Sequence, residues 1–74
     1  MNNMDILIFK TNIDSEADFL EIRKDLLSSY NIKECTVDFE DKDRVMRIAG
    51  NNLKLSDIAA SVNTMGFLCE ELTD

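Results

Sequence analysis

An α+β sandwich, four antiparallel strands carrying two helices on one face, is the fold class this sequence predicts. Two observations predict it. The spacing of apolar residues switches between a period of two and a period of about 3.6, in the order strand, helix, strand, strand, helix, strand. The chain has 74 residues, of which 45% are apolar, enough for one domain with one core. A single domain over residues 1–74 is expected.

Residues 4–9, "MDILIF", are short, apolar and β-branched, and read as a buried strand continuing toward Ile13. Beyond "DS" the period lengthens. Phe19, Ile22, Leu26 and Tyr30 recur at three- and four-residue steps, with charged residues between them, as on an amphipathic helix. "SSYN" ends it. Cys35, Val37 and Phe39 alternate with Glu34, Thr36, Asp38 and Glu40, the pattern of a half-buried strand. "EDKD" is a charged turn, and "RVMRIA" returns as the partner strand of a hairpin. After "GNN", Leu55, Ile58, Ala59, Val62 and Met65 mark a second helix, with Ser56 as expected N-cap and Gly66 just past the end. "LCEEL" is the last strand. Two such split strand–helix–strand units make the ferredoxin-like βαββαβ sandwich, with expected sheet order 4-1-3-2.

Fifteen acidic residues stand against eight basic ones, giving a net charge of −7, and histidine is absent. Nucleic acid and anionic membrane surfaces are therefore excluded as partners, because both require Lys and Arg to neutralise phosphate. No apolar run reaches ~18 residues, so no membrane span is expected. The start "MNNMDILIFK" has no basic leader or small-residue cleavage site, and a cytoplasmic protein is expected. An enzyme is not expected: there is no histidine base and no cysteine with an evident activating neighbour. The glycine-rich anion loop of acylphosphatases and the aromatic platform of RNA-binding sheets are not recognisable. Cys35 and Cys69 are read as free thiols, Cys35 at the start of the second strand and Cys69 close to the first loop but out of its reach.

The candidate site lies where the first strand gives way to the first helix, at "IDSEAD". Ser-x-x-Asp before an apolar run reads as a capping box, with Ser15 as N-cap and Asp18 reaching back to the Ser15 N–H. The whole chain also resembles a heavy-metal-associated domain, the fold of small copper chaperones and of the N-terminal modules of copper-transporting ATPases. In that family the first strand runs into a loop of the form M-x-C-x-x-C. By this resemblance Ile13 takes the place of the apolar anchor, and Ser15 and Asp18 fall on the two cysteine positions. Ile22 and Leu26 match the inward helix positions, "NIKECTVDFED" the passage into the second strand, and "NTMGF" the loop before the last strand. Met65 and Phe67 would then flank the same loop as Asp14, Ser15 and Asp18. The motif that binds copper is missing. Copper(I) prefers thiolates, while Ser15 offers a neutral hydroxyl and Asp18 a hard carboxylate. The resemblance implies the fold with a degenerate metal site and no cofactor.

One feature exceeds a plain fold. "ILIF" is apolar at every position and "VMRIA" nearly so, and in the expected order these strands are adjacent. With Leu7, Phe9, Met46 and Ile48 toward the helices, Ile6, Ile8, Val45 and Ala49 stand on the open face. A patch of this kind marks a partner surface, unless the stems of Lys10 and Arg47 cover it. The function expected is a small interaction or self-association domain, bound to an unknown protein or to its own copy through this face. The alternative is a weak metal-ion binding or metal-homeostasis protein using Asp14, Ser15 and Asp18.

Overall fold

The computed structural model describes residues 4–72. Its elements are β1 (Asp5–Thr11), α1 (Glu16–Ser29), β2 (Ile32–Val37), β3 (Met46–Gly50), α2 (Leu55–Thr64) and β4 (Cys69–Glu71). The sheet order is β2-β3-β1-β4, which is the expected 4-1-3-2 read from the other edge, and every neighbouring pair is antiparallel. This is the ferredoxin-like sandwich.

Alternation along the strands decides the core. Phe9, Met46 and Ile48 are fully buried, and with Ile22 and Leu26 of α1 and Ile58 and Val62 of α2 they form one cluster. Ile6 and Ile8, one step out of phase, are exposed. A one-residue slip of β1 would exchange these two sets, so burial of Phe9 pins the register Phe9↔Met46. The helices are tied by Tyr30, whose hydroxyl lies 2.7 Å from Ser61 Oγ.

The helix ends follow from local chemistry. α2 closes with Gly66 at φ +98, a left-handed position that glycine takes without a Cβ penalty. The Phe67 N–H donates to the Val62 carbonyl at 3.3 Å and the Gly66 N–H to Asn63 at 2.9 Å, the paired bonds of a Schellman cap. Gly50 has a different reason. A Cβ there would run into the Asn31 carbonyl oxygen and come within 2.9 Å of Ile32 Cα, so only glycine lets the end of β3 pass the entry to β2.

Four expectations are corrected. Ser56 is not the N-cap of α2. That position is Lys54, without a side-chain bond, because Asp5 accepts from the Leu53 N–H at 3.0 Å and starts the helix one residue past Lys54. Phe39 lies beyond β2, in the turn, where its ring meets Phe19 edge-on at 6.2 Å. Cys35 is in the body of β2 opposite Ile48, not at its start. Ala49, expected on the open face as exposed surface, is only 6% exposed. It stands in register between Ile6 and Glu34, and its single methyl is shaded by these longer neighbours.

Candidate functional site

The first loop, residues 12–15, joins β1 to α1 and is fastened on both flanks. Thr11, at the end of β1, is 97% buried, being 3% exposed. Its N–H donates to the Asp43 carbonyl at 3.0 Å, and its hydroxyl donates to the Arg44 carbonyl at 2.6 Å while accepting from the Ile13 N–H at 3.3 Å. These bonds clamp the β2–β3 turn onto the loop. Arg44 has φ +42, an uncommon conformation for a side-chain-bearing residue. Two guanidinium bonds hold it, one to the Asp41 carbonyl at 2.8 Å and one to the Asp14 carboxylate at 3.2 Å. On the other flank the Asn12 side chain accepts from the Leu68 N–H at 2.8 Å, joining the loop to the α2–β4 connection. Ile13, fully buried, anchors the loop from below.

Ser15 is the N-cap of α1, with extended φ −130 and ψ 152. Its hydroxyl oxygen accepts from the Asp18 N–H at 3.1 Å, and its carbonyl accepts from the Phe19 N–H at 3.1 Å. The return bond from the Ser15 N–H to the Asp18 carboxylate is not formed among the described residues, because aspartate is one methylene shorter than the glutamate that usually closes this box. Glu16 and Asp18 still place charge in the first turn, at the positive end of the helix dipole.

The expected set is brought together only in part. Asp14, Ser15 and Asp18 share the loop and the first helical turn. Met65 and Phe67 pack against the core, and Met65 also lines a shallow open groove with Leu20, Glu21, Lys24 and Asp25. On the open face, Ile6 and Ile8 are exposed, Val45 is half-buried and lies just before β3, and Ala49 is buried. Thr11, Asn12 and Arg44 are the residues that sequence reasoning missed.

The donors at the loop are oxygen atoms, and the Ser15 hydroxyl, the Asn12 side-chain oxygen and one Asp14 carboxylate oxygen are already engaged in the fold. Cys69 lies opposite Thr11, at the base of the loop, but burial pushes its thiol up to about 12. Burial likewise raises Cys35 to about 11, against the pull of Arg23. Both are protonated at neutral pH, whereas the ligand form of cysteine is the thiolate. Among the described residues no group of three His, Cys, Asp or Glu side chains converges. A soft metal ion does not fit this donor set.

No family profile and no curated protein sequence matches the chain. Solved structures do. Oxidized MerP from Ralstonia metallidurans superposes with a TM-score of 0.79 at 9% identity, over 96% of this chain and 100% of that one. The yeast copper transporter domain Ccc2a gives 0.78 at 18% identity, over 93% and 96%. The copper(I)-loaded first domain of CCS, the human copper chaperone for SOD1, gives 0.74 at 14% identity, over 95% and 94%. The chain has the fold of these heavy-metal-associated domains over nearly its whole length. At these identities the likeness is one of fold.

Proposed function

We propose that this chain is a small, non-enzymatic interaction domain built on the heavy-metal-associated fold, with Ser15 and Asp18 standing where cysteines would hold the metal. The observation that carries this reading is the Ser15 hydroxyl accepting from the Asp18 N–H at 3.1 Å. The group at the first metal position is thereby the helix cap, and taking it for a ligand would uncap α1. Asp14 and Asn12 are similarly engaged with Arg44 and Leu68. What a chaperone such as CCS shares with this chain is then a surface for meeting another protein, without the cargo. A reducing, cytoplasmic setting suits two buried protonated thiols.

The test is copper(I) competition. The purified chain is titrated with copper(I) in the presence of a chromogenic chelator of moderate strength. The expected result is that the chelator keeps all the copper. Stoichiometric copper retained after dialysis would overturn the reading and favour metal handling.

A further inference from the structure

We draw no further inference here: the strongest candidate, the apolar patch of Met4, Ile6, Ile8 and Leu72 on the open face of the sheet, carries nothing because nothing in the structure shows what covers it.

Discussion

The Arg44 guanidinium meets the Asp14 carboxylate at 3.2 Å, across two loops that are 30 residues apart in sequence. The contact ties the β2–β3 turn to the start of the first helix, yet its energy lies mostly elsewhere. The Asp14 side chain is 82% exposed, and exposed ion pairs contribute only about 0–1 kcal/mol. The backbone of Arg44, at φ +42, opposes the native state by about 1–2 kcal/mol relative to a right-handed residue.

Two substitutions separate these effects. Asp14→Asn should change stability by less than about 1 kcal/mol. Arg44→Ala should destabilise more, since it removes the bond to the Asp41 carbonyl and keeps the left-handed backbone. Arg44→Gly loses the same bonds but relieves the backbone, and should be about 1 kcal/mol more stable than Arg44→Ala. Urea unfolding of the three variants measures this. An alanine variant at least as stable as the glycine variant would refute the strain argument.

The N-cap gives a second comparison. Ser15→Ala removes the acceptor for the Asp18 N–H and should cost about 0.5–2 kcal/mol. Asp18→Asn keeps that bond, because the donor is the backbone, and should lose only the charge–dipole contribution of about 0.3–1 kcal/mol. The same unfolding measurement applies, and a neutral Ser15→Ala would remove the cap from the argument.

The thiols predict an alkaline limit. Cys35 and Cys69 have folded-state values of about 11 and about 12 against 9.0 for a free thiol. Because folding favours the neutral form, this stabilisation is complete below pH 9 and is lost as pH rises through the folded values. Stability should therefore decline between pH 9 and 12. The double variant Cys35→Ala, Cys69→Ala should show a shallower decline over the same range. At pH 8 a thiol-specific reagent should label neither cysteine quickly until urea unfolds the chain. Rapid labelling of the native protein would contradict the burial.

The fold was legible because periodicity records which face of each element meets the core. Phe9, Phe19, Ile22 and Leu26 are buried where their spacing places them, and Gly66 ends α2 as a left-handed residue should. The cap at Ser15 was legible too, since its bond spans three residues. The clamp around the first loop was not. Thr11 and Arg44 are 33 residues apart, Asn12 and Leu68 are 56 apart, and side-chain bonds to backbone carry no period. Ser56 misled for a related reason. The start of α2 is set by Asp5, 48 residues upstream of Leu53, and this tertiary bond overrides the local capping preference.

The alignment of the loop with a thiolate site has a direct test of its own. Ser15→Cys with Asp18→Cys would place one sulfur at the N-cap of α1 and another in its first turn, with Ile13 still buried beneath them. The helix N-terminus lowers a thiol pKa. Two thiolates suit copper(I), and the double variant should retain about one equivalent in the chelator competition that strips the natural chain. Part of the cap is lost, because a cysteine sulfur accepts hydrogen bonds weakly. The metal-free variant should therefore be less stable than the natural chain by about 1 kcal/mol, with copper recovering the difference by mass action. A double variant that folds but gains no copper affinity would show that Ser15 and Asp18 do not occupy thiolate positions, and the likeness would then end at the backbone.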